Sequence, residues 1–384
     1  METMTDEKGN IHSLKKLIGE DGQGKLYNTG NKGIILRDAR EHENDRTIYN
    51  DVKLLPLEDI TNIILPGHHL LETGYIMTIP EGYSPLTGIM PADEEDATKF
   101  YVETGGLKRR LAVLTELAKT LIKLHSLPCM YGSISPARIF ISNEERGVFL
   151  LYSVKMTSTM PLTRDGDDEP YTAPEARAGL ASLLSDVFSF GALAQDLLTH
   201  KGICPLPDTM DELTSLLGQA QSMTLAERPK LVHIYRLLCR QLDSLLTCQG
   251  CGADYHYTAP ACPFCEGKPT KAIKATIYDQ INETRIDRGV KIFEFSTTRQ
   301  ALFNHHTDLS LFGDEIEPRI ECLINISDKK LHFILKNIMS KDIVVNDEVL
   351  PHEHAMAVPL PVPIIRVEFK LFATTTRKID LVII

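Results

Sequence analysis

Two pairs of cysteines share one spacing, Cys248-x-x-Cys251 and Cys262-x-x-Cys265, with ten residues between them. A thiolate is a soft ligand, and each pair presents two from one tight turn, so together they offer the tetrahedron that Zn²⁺ favours. Gly250 and Gly252 permit the first turn, and Pro263 stiffens the second. In such knuckles backbone N–H groups point at sulfur and stabilise the thiolate. Four protein ligands leave no open coordination position, so the expected zinc is structural rather than catalytic. A redox dithiol is the rival chemistry, but no βαβ pattern surrounds these pairs. His256 lies between them and reads as a loop histidine rather than a fifth ligand. The acidic run Asp165, Asp167, Asp168 and Glu169 has the donors for a metal, yet beside Gly166 and Pro170 it reads as a solvated loop. His305-His306 and His352-x-His354 read as surface residues.

The elements that must position these groups follow from the pattern along the chain. Residues 13 to 90 read as short strands and turns, with β-type runs at Gly33–Leu36 and Gly74–Ile79. Leu107, Leu111, Leu114, Leu117, Leu121 and Leu124 have helical spacing over residues 105 to 127. Strand-like runs at Ile139–Ile141 and Val148–Leu151 follow, and helical periodicity returns over 183 to 199 and 209 to 246. The cysteine pairs begin as the last helix ends. Residues 267 to 274 are short, polar and basic and read as a linker. From about residue 276, β-branched and aromatic runs at Lys291–Ser296, Arg319–Ile326, Leu331–Leu335 and Ile364–Phe372 predict an all-β domain.

The 384-residue length suits two or three domains, and 43% hydrophobic with 24% charged residues is the composition of a folded protein. A net charge of -11 argues against general nucleic-acid binding. No run approaches the roughly 18 apolar residues of a membrane span. The acidic, polar start METMTDEKGN does not read as a secretory signal. Of eight cysteines, Cys129, Cys204, Cys239 and Cys322 stand alone, which suits one metal site in a reducing compartment better than a disulfide framework. The expected address is the cytoplasm.

Residues 13 to 240 carry an ordered set of motifs. LHSLPCMYGSISPARIFI (Leu124–Ile141) resembles the protein kinase catalytic loop with its flanking helix and strand. YTAPEA (Tyr171–Ala176) resembles the end of an activation segment, and SDVFSFGALAQDLL (Ser185–Leu198) the long central helix of the large lobe. ITNIILPG (Ile60–Gly67) and GYIMTIPEGYSPL (Gly74–Leu86) look like the strands leading to the hinge. The resemblance implies an α+β, bilobal protein kinase-like fold. Its small lobe would span 13–80 and its large lobe 81–246, followed by a four-cysteine zinc ribbon at 247–268 and an all-β sandwich at 276–384.

Phosphoryl transfer needs a carboxylate at the substrate hydroxyl, carboxylate and amide ligands for Mg²⁺, and a lysine on the nucleotide phosphates. In the family pattern the catalytic aspartate falls on Ser133, the metal-binding asparagine on Arg138, and the metal-binding aspartate on Tyr152 of Tyr152-Ser153-Val154. The strand lysine falls on Arg37, which keeps charge but not geometry. The phosphate loop reads Gly19-Glu20-Asp21-Gly22-Gln23-Gly24, so Gly19, Gly22, Gly24 and Arg37 would line a degenerate nucleotide cleft carrying an extra acid. The bracing positions are retained. Glu175 and Arg228 match the ion pair that ties the activation segment down, and Asp186 matches the aspartate that holds the catalytic-loop backbone. Asp51 stands where the small-lobe helix carries its glutamate, within conceivable reach of Arg37.

The implied function is a pseudokinase serving as an interaction scaffold or signalling adaptor. The alternatives are an atypical ATP-dependent Ser/Thr kinase and a nucleotide sensor without turnover. Zinc is the expected cofactor; for ATP, the degenerate loop either closes the cleft or weakens it. A divergent kinase domain followed by a zinc ribbon also resembles bacterial kinases encoded beside von Willebrand-type and tellurite-resistance-linked proteins. The expected partner is therefore a protein, either a von Willebrand-type domain protein or a phosphoprotein. Leu331–Leu350 and Ile364–Phe369 resemble late strands of a forkhead-associated sandwich, with Val345-Asn346-Asp347 as the linking turn.

Overall fold

The structure, a computed structural model, describes residues 2–21, 24–31, 33–40, 55, 57, 60, 62–90, 97–132, 134–143, 147–153, 156–158, 170–199, 208–296, 300–301, 320–327, 330–339 and 341–384. The chain divides into two compact units, one of Met1–Gly105 and Arg109–Tyr235 and the other of Gly106–Lys108 and Arg236–Ile384. Helices and several sheets together make a mixed α+β protein.

The N-terminal unit opens with a hairpin of β1 (Thr3–Thr5) and β2 (Ile11–Ser13). Then come β3 (Lys16–Asp21), β4 (Gly24–Asn28), β5 (Ile34–Asp38), β6 (Ile63–Ile64), β7 (His68–His69), β8 (Gly74–Thr78) and β9 (Tyr83–Pro85). Five of these form an antiparallel sheet of order β3-β4-β5-β8-β7. Gly24 begins β4 in the β3–β4 hairpin at φ 122°, where a Cβ would sit 2.2 Å from the Asp38 carbonyl oxygen, so only glycine fits.

Helix α1 (Ala97–Glu103) and the long α2 (Gly106–Ser126) follow. The leucine stripe foreseen for α2 is its buried face: Leu111, Leu114, Leu117, Leu121 and Leu124 are all solvent-inaccessible. Arg110 is also buried. Its guanidinium donates to the carbonyls of Tyr101 and Ile89 and to Thr104 Oγ1, so a charge inside the protein is met by fixed dipoles. Next are β10 (Cys129–Met130), β11 (Ile139–Ser142), β12 (Val148–Leu151) and β13 (Thr157–Ser158). A second sheet has the order β6-β12-β11-β9, with β6 and β12 parallel. Helices α3 (Pro174–Arg177), α4 (Leu183–Thr199), α5 (Asp211–Ala220) and α6 (Leu231–Asp243) complete the helical part. Gly191 of α4 lies against α5 so closely that a Cβ would meet the Ala220 Cβ at 2.7 Å.

The remaining strands, all in the C-terminal unit, are β14 (Leu245–Thr247), β15 (Asp254–His256), β16 (Ala272–Ile281), β17 (Thr284–Glu294), β18 (Gln300–Ala301), β19 (Ile320–Ser327), β20 (Lys330–Asn337), β21 (Ile343–Val345), β22 (Glu348–Leu350), β23 (Ala355–Pro359), β24 (Ile365–Phe372) and β25 (Thr375–Ile383). They form a six-stranded sheet, β17-β16-β25-β24-β21-β22, and a four-stranded one, β18-β19-β20-β23, beside the small β14–β15 pair. One core joins the two larger sheets. Ile273, Ala275 and Ile277, Ile365, Val367 and Phe369, and Ile379 and Leu381 point inward from one, meeting Cys322, Ile324, Phe333, Leu335 and Val358 from the other. The period of two is what a strand imposes on a half-buried surface. The stretch read as a linker, 267 to 274, is strand from Ala272 onward. Lys271 and Lys274 lie on its more open face while Ala272 and Ile273 are buried, so its basic residues concealed a strand that begins with an inward step.

Candidate metal centre and the central residues of the N-terminal unit

Strands β14 and β15 pair antiparallel and bracket the first cysteine turn. Gly252, at φ 75°, donates its N–H to the Cys248 carbonyl at 2.9 Å, and the Cys248 N–H donates to the Ala253 carbonyl at 2.9 Å. The second turn is closed by Cys262 N–H to the Gly267 carbonyl (3.0 Å) and Glu266 N–H to the Cys262 carbonyl (2.8 Å). All four sulfurs lie within 4.8 Å of one another. The Cys248–Cys265 separation is 3.6 Å and the Cys251–Cys262 separation 3.7 Å, each spanning the two turns. A tetrahedron with metal–sulfur bonds of about 2.3 Å has sulfur–sulfur edges of about 3.8 Å. The donor set therefore fits a four-coordinate thiophilic ion and could hold one.

The environment favours thiolate unevenly. The Cys251 and Gly250 N–H groups draw the Cys248 thiol down to about 7. The Ala253 N–H favours a Cys251 thiolate, but burial and the neighbouring sulfurs push it up to about 12. Four negative sulfurs at this spacing need a cation among them. Cys248 and Cys262 are buried, and Leu246, Tyr255, Ala272 and Ile292 pack beside them. Cys251 and Cys265 face solvent. His256 ends β15 with its Nδ1 2.7 Å from Thr258 Oγ1, and burial holds its imidazole below the ordinary value. Among the described residues no other cluster of His, Cys, Asp or Glu has metal-ligand geometry.

In the N-terminal unit, Arg37 on β5 is 0% exposed and stands across the strand pair from Tyr75 of β8. Its guanidinium carbon is 5.9 Å from the Tyr75 ring centroid, and that ring lies edge-on to Tyr152 at 6.3 Å. Tyr152 is buried just beyond β12, with its N–H on the Ile64 carbonyl at 2.9 Å. Arg138 is also 0% exposed and donates to Ser153 Oγ at 3.2 Å. The buried Tyr131 hydroxyl donates to the Leu151 carbonyl at 2.6 Å. Gly19 of β3 lies directly against the turn that precedes Arg138: a Cβ on it would be 2.7 Å from the Ala137 Cβ. Ser133, Gly22, Asp51, Val154 and the acidic run at 165–169 lie outside the described residues, as do His305 and His306.

Two ionic knots brace the same unit. Arg228 and Glu175 meet bidentately at 2.6 and 3.0 Å. Arg228 also donates to the Leu184 carbonyl (3.0 Å) and the Ser222 carbonyl (2.9 Å), and Ser185 Oγ donates to Glu175 at 2.6 Å. Burial would raise the Glu175 carboxyl, but the Arg228 and Ser185 hydrogen bonds outweigh it and hold the group below its ordinary value. Asp186 on α4 accepts from the backbone N–H of Tyr131 (2.7 Å) and Gly132 (2.8 Å), with His125 Nε2 3.0 Å away. His125 carries no signal of this contact in the sequence beyond its place at the helix end in Leu124-His125-Ser126. A third knot, Asp279 with Arg377 (2.7 and 3.1 Å) and Arg288 (2.6 Å), lies in the C-terminal unit and had no signal in the pattern. His352 and His354 are engaged by main-chain carbonyls, of Met339 and His352 respectively.

No protein-family model matches the chain, and a search of curated proteins finds no match either. No helix among the described residues is long and apolar enough to cross a membrane.

Proposed function

We propose that this chain is a catalytically silent, protein kinase-like scaffold whose cysteine ribbon is braced by Zn²⁺. The observation that carries the reading is the packing of the would-be nucleotide site. Gly19, from the segment likened to the phosphate loop, touches Ala137 of the segment likened to the catalytic loop. A nucleotide phosphate between them would have to separate them. Around that contact, the positions where a kinase holds its lysine and metal ligands carry Arg37, Arg138 and Tyr152, all buried. Two guanidinium groups and a phenol cannot ligate Mg²⁺ as carboxylates and an amide do.

Support for the kinase-like part is the retention of its braces. Asp186 gathers two loop N–H groups, and Glu175 and Arg228 pair at bidentate distance, as a chain that keeps the architecture and discards the chemistry would do. The sulfur spacing supports zinc, which would supply charge compensation for four thiolates and cross-link the two turns. The scaffold would act on a protein partner in a reducing compartment, where thiolates stay available to metal.

The test is a thermal-shift titration of the purified protein with ATP, with and without Mg²⁺. A scaffold with a filled cleft shows no shift at millimolar nucleotide. A Mg²⁺-dependent rise in Tm would favour the atypical kinase, and a Mg²⁺-independent rise the nucleotide sensor.

A further inference from the structure

Helix α2 begins under conditions that oppose a helix start. Gly105 (φ 95°) and Gly106 (φ 57°) are both in left-handed backbone, and Gly105, at the capping position, supplies no side-chain hydrogen bond. The first turn, Gly106-Leu107-Lys108-Arg109, holds no acidic residue and sets two positive charges at the positive end of the helix dipole. The orphan N–H groups of that turn therefore need an acceptor from elsewhere in the chain.

Asp254, the first residue of β15, is that acceptor. Its Oδ2 accepts from the N–H of Lys108, the third residue of the helix, at 2.9 Å, which is a position a capping side chain serves. The fit is close, since a Cβ on Gly106 would lie 2.8 Å from the same Oδ2. Asp254 Oδ1 accepts from Thr247 Oγ1 at 2.9 Å, which fixes the carboxylate, and Lys108 Nζ lies 3.6 Å from Glu294 Oε1. Asp254 and Thr247 face each other across the β14–β15 pair, Thr247 just before Cys248 and Asp254 three residues after Cys251. Gly106–Lys108 belong with them to the C-terminal unit.

The apolar core around the cysteine turns is small: Leu246, Tyr255, Ala272 and Ile292 with Cys248 and Cys262. Four thiolates without a cation repel one another, and little else holds the hairpin in shape. We infer that the four-cysteine site controls the start of α2. With Zn²⁺ bound, β15 presents Asp254 to Lys108 and the first turn closes; with zinc withdrawn, the cap is lost and the turn frays. Zinc is then an effector of α2 as well as a brace for the ribbon. The coupling is reciprocal: whatever zinc adds to the cap, the cap adds to zinc affinity. The inference rests on the zinc half of the proposed function and is independent of the nucleotide cleft.

The test is amide hydrogen exchange, followed by NMR, on the full-length zinc-loaded protein before and after a chelator withdraws the metal. The Lys108 amide should lose at least about fivefold of its protection, the scale of removing a capping side chain, while the Leu117 amide farther along α2 keeps its own. Asp254→Ala should make Lys108 exchange at the fast rate whether or not zinc is bound. The same variant should bind zinc about fivefold more weakly in competition with a chelating dye, and Asp254→Asn, which keeps an oxygen acceptor, should recover most of that loss. Three results would each overturn the inference: equal Lys108 protection with and without zinc, a loss shared equally by Leu117, or wild-type zinc affinity in Asp254→Ala. A protein that takes up no zinc would overturn it together with the zinc reading, which the other three results leave standing, so the two failures are distinguishable.

Discussion

Substituting Gly19 by alanine tests the packing at the heart of the N-terminal unit. The added Cβ would lie 2.7 Å from the Ala137 Cβ, whereas carbon atoms in contact settle near 3.5–4.0 Å. Relief requires about 1 Å of movement, and the nearest obstacle is a methyl fixed directly to the backbone rather than the end of a flexible side chain. Overpacking of this kind costs about 1–3 kcal/mol. Ala137→Gly removes the obstacle and by itself costs about 0.5–1 kcal/mol through chain entropy. Combining the two should therefore recover stability, with a favourable coupling of about 1–2 kcal/mol between sites that touch. The assay is urea unfolding of the wild type, both single variants and the double variant, followed by tyrosine fluorescence. Additive effects, or a Gly19→Ala variant as stable as the wild type, would show that β3 does not rest on this turn and would refute the reasoning.

Three further outcomes are expected. Arg228→Ala should destabilise the N-terminal unit by about 3 kcal/mol in denaturant unfolding, because it strands the half-buried Glu175 carboxylate and releases the Leu184 and Ser222 carbonyls. Arg228→Lys should recover only part of that, since an ammonium cannot reproduce the fork. Purified protein should carry stoichiometric zinc by atomic emission, and Cys262→Ser should lower that content and loosen hydrogen-exchange protection in β14 and β15, which flank the first cysteine turn. Burial would raise the Asp279 carboxyl, but Arg377 and then Arg288 hold it below its ordinary value. A carboxyl depressed in the folded state contributes stability that is present above its unfolded value of about 3.9 and is lost as pH falls through the folded one. Acid unfolding of the C-terminal unit should thus steepen below about pH 4, and Asp279→Asn should flatten that dependence while lowering stability at neutral pH.

The parts of this structure that the sequence disclosed are those with a period or a spacing. The leucine series of α2, the strands at 139–142 and 148–151, and helix α4 follow from the pattern that one buried face imposes, and the paired cysteine turns from a spacing that could hold one metal. The hairpin of β1 and β2 is illegible in the sequence because three-residue strands carry too little pattern. It is held by bonds to distant residues, Leu71 N–H to the Thr5 carbonyl and Glu7 N–H to the His69 carbonyl. The buried Asp279–Arg377 pair was illegible for a different reason. Both residues lie on strands whose charged positions ordinarily face water, and only their facing registers on β16 and β25 bring them together. Glu175, Arg228 and Asp186 are singled out only through the resemblance to a kinase, and the structure shows Glu175 paired with Arg228 and Asp186 bound to loop N–H groups, while the closeness of Gly19 to Ala137 depends on folding alone.

The most direct test of the central claim is the nucleotide titration. Full-length zinc-loaded protein is heated with increasing ATP, in parallel with and without Mg²⁺, and the Tm is followed. A folded state that binds a ligand must gain stability as the ligand rises above its Kd, by about 2.7 kcal/mol at a hundredfold excess. The account expects a flat Tm in both series up to millimolar ATP, because on the proposed reading the close approach of Gly19 to Ala137 would leave no room for the phosphates. A saturable rise in Tm in either series would contradict it.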